Sequence, residues 1–215
     1  MKAVILDVDG VLFESVGIKT KAFAELFADY PDKVGEIVNY HEENGGVSRY
    51  VKFRHIYENI LHEHLTDKHF FELSDRFSGI VFEKVVCAPY VPGAELFIRK
   101  CHGRIPLFLV SATPAEELTA IIRARWISTY FADIYGAPES KQHAINEILQ
   151  MNQFESSSVV LVGDSINDFL AAEETGVPFI GRVPVGQKSP FPDKYPLVQT
   201  IPDLTRLMTC ITSIS

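Results

Sequence analysis

The chain runs to 215 residues, 47% of them hydrophobic and 22% charged, which is enough apolar surface for a proper core and enough length for one domain carrying a sizeable insertion. A formal net charge of −8 and a pI near 5.4 speak against a nucleic-acid partner, which needs an extended basic surface to displace counterions. No uninterrupted apolar stretch approaches the ~20 residues of a membrane span, the start runs from Lys2 straight into an apolar strand with no leader-type segment, and Cys87, Cys101 and Cys210, scattered and without zinc spacing, read as reduced, mostly buried thiols of a cytoplasmic protein.

Residues 3–6, Ala-Val-Ile-Leu, form a continuous apolar run with β-branched members, the pattern of a strand buried on both faces of a parallel sheet. From 16 to 88 strand signals disappear and helical periodicity takes over. Phe53, Tyr57, Ile60 and Leu61 share one side of a helix, and Phe70, Phe71, Leu73 and Phe77 suggest another apolar face. Residues 16–88 therefore read as an all-helical insertion, a second domain, with 1–15 and 89–215 forming the core. Hinges are expected around Glu14 to Val16 and in the Pro-containing segment Cys87 to Gly93. Strands are predicted at 106–113, 158–165 and 177–182, with a weaker one at 131–137, and helices at 93–101, 114–126, 140–151 and 166–176. That alternation predicts a doubly wound α/β sheet whose ligands sit at the carboxyl ends of the strands. Residues 186–196 read as a Pro-rich surface loop, followed by a short closing strand and helix.

Chemistry gathers at those strand ends: Asp7 and Asp9 after the first, Ser111 and Thr113 at the second, Asp164 and Asp168 after another. Parallel strands would bring four carboxylates to one edge, where their repulsion calls for a divalent cation, and Mg2+ prefers such oxygen donors. Asp7 can serve as a nucleophile that forms an aspartyl-phosphate, and Asp9 can shuttle a proton to the leaving oxygen and from the attacking water. Lys141, opening a helix, offers an ammonium and a helix N-terminus to an anion. Ser111 offers a hydroxyl, and the backbone from Ala112 onward offers amide donors. Thr113, just before Pro114, reads as the cap of the next helix.

In this order the segments Asp7-Val8-Asp9-Gly10-Val11-Leu12, Phe108 to Thr113 around Ser111, Lys141, and Val162 to Ala172 with Asp164 and Asp168 resemble the four motifs of the haloacid dehalogenase-like hydrolase superfamily. Members similar to phosphoglycolate phosphatase and β-phosphoglucomutase carry a helical cap where residues 16–88 lie. The resemblance implies Mg2+ held by the Asp7 carboxylate, the Asp9 main-chain carbonyl and Asp164, with Asp168 supporting through water or Lys141. It also implies phosphate binding by Gly10, Ser111, Ala112 and Lys141, on a small phosphate ester. Asp9 favours phosphate-ester chemistry over dehalogenation. Trp126 stands where such chains often have a Gly-Leu pair, outside the four motifs.

In the insertion, Arg49 and Lys52 follow the Gly45-Gly46 pair and lie side by side. Two alternatives stay open for them: contact with the substrate as the cap closes, or solvation. The histidines show no metal spacing and read as surface or packing residues. A phosphatase acting as monomer or homodimer is the leading expectation. A phosphosugar mutase and a non-catalytic binding protein on the same fold are the alternatives, separated by whether inorganic phosphate accumulates and whether any Mg2+-dependent turnover occurs.

Overall fold

Every predicted strand enters one sheet in the computed structural model, which describes residues 1–191 and 199–213. Its strands are β1 (Ala3–Leu6), β2 (Leu107–Pro114), β3 (Asp133–Ala137), β4 (Val159–Gly163), β5 (Phe179–Arg182) and β6 (Gln199–Ile201), in the order β3-β2-β1-β4-β5-β6. All neighbours pair in parallel, so the ends of β1, β2 and β4 share one edge. The closing strand is β6; residues 192–196 of the predicted loop lie outside the described residues.

The unbroken apolar runs have a direct physical reason. Alternate side chains of a strand point to opposite faces, and here both faces are covered. Val4 and Leu6 of β1, Leu107 and Leu109 of β2, and Val160 and Val162 of β4 enter one apolar layer. Ala3, Ile5, Phe108, Val110, Val159 and Leu161 enter the other. The second layer is closed by α7 (Lys141–Met151) and α8 (Ile166–Thr175) through Ala144, Ile145, Ile148, Phe169 and Ala172. The first receives α5 (Ala94–Cys101), α6 (Ala115–Ala124) and α9 (Leu207–Ser213).

Between β1 and α5 the described chain is helical: α1 (Val16–Leu26), α2 (Val34–Glu43), α3 (Arg49–His55), a π-helical stretch Ile56–Leu61 that continues α3, and α4 (Asp67–Val86). Its centre is aromatic, with Phe23 against Phe77 at 4.9 Å between ring centroids and Phe27 against Phe53 at 6.3 Å. Phe53, Tyr57, Ile60, Phe70, Leu73 and Phe77 are buried, as the periodicity requires. Phe71 is not; next to Phe70 and about 100° round the helix, it is 64% exposed. This apolar centre is continuous with the first layer of the sheet.

The two connections between this block and the sheet meet each other. Phe13 pairs with Tyr90 in an isolated antiparallel bridge, and Arg125, beyond α6, stacks its guanidinium on both rings at 4.0 and 4.4 Å. One nitrogen of the same guanidinium donates to the carbonyls of Val85, Val86 and Ala88 at 3.3, 2.8 and 2.6 Å, satisfying groups that the end of α4 leaves without helical donors. Cys87, expected to be buried with the other thiols, is exposed because it falls at the C-cap of α4. Among the described residues no helix is long and apolar enough to cross a membrane.

Candidate active site

Asp7 follows β1 while its amide still bonds across to Val162 of β4 at 2.9 Å, so its carboxylate is delivered to the strand edge. The chain then turns back: Gly10 has φ +74° and its amide donates to the Phe13 carbonyl at 2.8 Å. A Cβ on Gly10 would stand 2.0 Å from Asp164 Oδ2, so the glycine is what lets the first and fourth motifs approach. Gly10 contributes its backbone here; its carbonyl accepts from Arg182 at 3.2 Å, and Arg182 is paired with Glu14 at 2.6 Å.

Asp164 follows β4, and Asp168 stands in the first turn of α8. Ser165 and Asp168 form a reciprocal capping box: Asp168 Oδ2 accepts from the Ser165 amide at 3.1 Å and hydroxyl at 2.5 Å. Asp168 Oδ1 accepts from Lys141 Nζ at 2.5 Å. The Lys141 ammonium also lies 3.1 Å from Asp7 Oδ1. One carboxylate oxygen each from Asp7, Asp164 and Asp168 falls within 4.8 Å of the others.

The Asp7 carboxyl is pushed up to about 7, mainly by burial, with Lys141 pulling it down and Asp168 and Asp9 adding to the rise. Asp164 is raised well above the usual carboxylate range by burial, then by Asp7 and Asp168. For Lys141 burial works against the charge, but Asp168 and Asp7 outweigh it and the net shift is upward. Asp7 Oδ1 is the buried side-chain oxygen left without a hydrogen-bond donor among the described residues, since Lys141 reaches it at ion-pair distance without hydrogen-bond geometry. An oxygen set that repels itself, with one atom lacking a donor, fits a divalent cation. Asp7 and Asp164 have the open positions; both oxygens of Asp168 are taken, so its contribution runs through Lys141.

A second group of contacts surrounds Asp9. Ser15 Oγ donates to its Oδ1 at 2.6 Å, Thr113 Oγ1 donates to its Oδ2 at 3.2 Å, and Lys19 Nζ forms a close ion pair with the same Oδ2 while donating to Thr113 Oγ1 at 2.7 Å. Burial alone would raise the Asp9 carboxyl, yet the Lys19 charge and these hydrogen bonds bring it below its ordinary value. Thr113 is therefore not the expected helix cap: Pro114 takes that position, and the threonine hydroxyl turns inward. Ser111 is buried behind it, its hydroxyl donating to Thr113 Oγ1 at 3.3 Å.

Over this edge lies a cavity of about 700 Å³, lined by Asp7, Asp9, Ala112, Lys141 and Asp164 below and by parts of α1, α2 and α3 above. The reading of Arg49 and Lys52 as solvated residues is overturned: they are 5% and 3% exposed and both line the cavity. Arg49 is paired with Glu117 of α6 at 2.6 Å, donates to Ser78 of α4 at 2.9 Å and stacks on Phe77. Lys52 bonds to His41. Gly46 is held against α8. Its carbonyl accepts from Asn167 at 2.8 Å, and a Cβ there would meet Ser165 Oγ at 2.2 Å. Lys19, His41, Glu117 and Arg182 were absent from the sequence reading of the site.

A family described as hydrolase, haloacid dehalogenase-like hydrolase, matches residues 1–176. A phosphoglycolate phosphatase of Vibrio parahaemolyticus is 35% identical over 78 residues, which is 34% of each chain, so the match spans about a third of that relative's length. Another phosphoglycolate phosphatase, from Pseudomonas fluorescens, is 25% identical over 204 residues, 88% of this chain and 74% of that one. The fold of the Bacillus subtilis hydrolase YfnB, solved bound to magnesium, superposes with a TM-score of 0.72 at 16% identity, covering 98% of both chains.

Proposed function

The chain belongs to the haloacid dehalogenase-like hydrolases, and from that membership we propose that it is a Mg2+-dependent phosphatase of small phosphate monoesters, with residues 16–88 as the cap over its site. The observation that carries the reading is the convergence of Asp7, Asp164 and Asp168 within 4.8 Å under the Lys141 ammonium. Asp7, Asp164 and the Asp9 carbonyl would hold Mg2+, which when bound neutralises charge on the phosphoryl oxygens.

Lys141 holds Asp7 in place and adds positive charge beside it. An Asp7 oxygen attacks phosphorus, the bond to the ester oxygen breaks, and Asp9 gives that oxygen a proton. Asp9 then takes a proton from water, whose oxygen attacks the aspartyl-phosphate, releasing inorganic phosphate and restoring Asp7. Lys19 favours ionised Asp9, the form that accepts the water's proton; the donating half of the cycle requires Lys19 to turn from Asp9 toward the incoming ester. Ala112 presents its backbone to the cavity, and Ser111 supports Thr113 from behind.

The test is phosphate release by the purified chain with Mg2+ from a panel of short phosphate monoesters. Phosphoglycolate heads it because curated relatives carry that name. Asp7→Asn should abolish release with the fold retained, and Asp9→Asn should slow it by about 100-fold or more. Free phosphate as product separates hydrolysis from phosphoryl transfer to a sugar hydroxyl. Wild-type turnover in Asp7→Asn would overturn the assignment.

A further inference from the structure

Among the described residues four cationic side chains are buried: Arg49, Lys52, Lys141 and Arg182. Three of them meet a carboxylate, Arg49 at Glu117, Lys141 at Asp7 and Asp168, and Arg182 at Glu14. Lys52, only 3% exposed, has no carboxylate within ion-pair distance among the described residues. Its Nζ lies 3.0 Å from His41 Nδ1 and 3.0 Å from the His41 carbonyl oxygen. His41 is itself buried and stacked on Phe23 at 4.2 Å. Burial, then the charges of Lys52 and Lys19, lower its pKa to about 3, so it supplies an acceptor and no charge.

An ammonium has three donors. His41 takes two, and the third remains at the cavity that Lys52 and His41 both line. A buried charge without a counterion is costly, and an anion from outside the chain relieves that cost. The phosphoryl group belongs at the Asp7 end, and neither Asp7, Asp9 nor Asp164 lies within ion-pair distance of Lys52. Lys19 acts at the Asp9 end, Arg49 is tied to Glu117, and Lys21 and Lys188, which also line the cavity, are exposed and so satisfied by water, which leaves Lys52 as the buried cation of the cavity without a carboxylate partner among the described residues. Burial, then the Lys19 charge, brings the Lys52 pKa down to about 7, in keeping with a group whose counterion arrives with the ligand.

We infer that Lys52 is a specificity-determining residue that selects substrates bearing a second anionic group, a carboxylate or another phosphate, at the end remote from the ester being cleaved. This rests on the phosphatase reading of the Asp7 end. Of the two residues expected over the substrate, Lys52 keeps that role and Arg49 does not.

The experiment compares kcat/KM, with Mg2+, on two matched pairs: 3-phosphoglycerate against its carboxamide, and glucose 1,6-bisphosphate against glucose 1-phosphate. The wild type should favour the doubly anionic member of one pair by about 10- to 100-fold, the scale of one charge-assisted hydrogen bond, and that pair identifies the anion. K52M should bring the ratio to about 1, while K52R, which keeps the charge, should retain part of it. Circular dichroism checks each fold, with K52Q as the replacement if K52M does not fold. A structural role for Lys52 would lower both members alike and leave the ratio standing; that result, or a wild-type ratio near 1 on both pairs, overturns the inference. Failure of the phosphatase reading shows separately, as no phosphate released from any of the four compounds. Calorimetric titration of the same pairs then decides: loss of the binding preference in K52M supports the role of Lys52, and its persistence overturns it.

Discussion

Replacing Glu117 by Leu strands the Arg49 guanidinium in a site where it is almost fully enclosed. The pair is 2.6 Å apart with side chains 4% and 7% exposed, so neither solvent nor salt substitutes for the lost partner. Ser78 remains as a neutral neighbour, 2.9 Å from the guanidinium. Breaking a buried pair from one side costs about 3–5 kcal/mol; for a chain of this size that corresponds to a melting temperature lower by about 6–20 °C. Arg49→Met should cost less than Glu117→Leu, because the orphaned carboxylate can take up a proton and still accept from Ser78, whereas a guanidinium cannot shed its charge. The double variant removes both charges and should stand near the wild type, since two well-packed apolar groups replace a buried pair at little cost. Urea unfolding of the four proteins closes the cycle; with the double variant near the wild type the coupling equals the sum of the two single losses and so exceeds the loss of about 3–5 kcal/mol from Glu117→Leu alone. Single losses under about 1 kcal/mol that add within ~0.5 kcal/mol would refute the reasoning, because the pair would then behave as a surface contact.

Stability in EDTA should depend on pH in a direction fixed by Asp7 and Asp164. Both hold a proton more tightly when folded than their ordinary 3.8, Asp7 up to about 7. Their contribution is therefore complete below the unfolded value and is lost as pH rises through the folded one. The melting temperature should fall from about pH 5 to about pH 7 in EDTA, the two carboxylates outweighing His41, whose lowered pKa of about 3 favours the fold as pH rises toward 6.5, and the fall should end where Lys52, lowered to about 7, starts to act the other way; added Mg2+ should restore more at the upper end, and a profile that rises across that window without metal would contradict the carboxylate cluster. Gly10→Ala sets a methyl 2.0 Å from Asp164 Oδ2 at φ +74°. It should destabilise by about 1–3 kcal/mol and raise the Mg2+ concentration for half-maximal activity by about 10-fold or more, measured by denaturation and by metal titration of turnover.

The strands were legible because each carries its whole burial requirement locally: a residue such as Val160 needs to be apolar whichever face it takes. The two aspartates after β1 were legible for the opposite reason, as charges placed where a strand interior disfavours them. What escaped were partners set by long-range folding. Lys19 is an unremarked lysine of an amphipathic helix until α1 folds back and sets its ammonium on Asp9. Glu117 looks like an ordinary first-turn acid of α6, and only the arrival of α3 and α4 buries it against Arg49. His41 and Lys52 stand 11 positions apart on two helices, with no spacing that marks them. Thr113 misled because a threonine before a proline carries a strong local signal, and the strand simply continued through it to Pro114.

Arg125 bears on how separable the helical block is. Its one guanidinium holds the end of α4 and covers the Phe13–Tyr90 bridge where both tethers cross. A chimera cut at 15 and 88 to exchange this block for a relative's would set Arg125 against foreign carbonyls and a foreign ring. The transferable module is therefore wider than the helices themselves: it includes 13–16, 85–90 and a residue that lies more than thirty positions downstream, on the sheet side of the molecule.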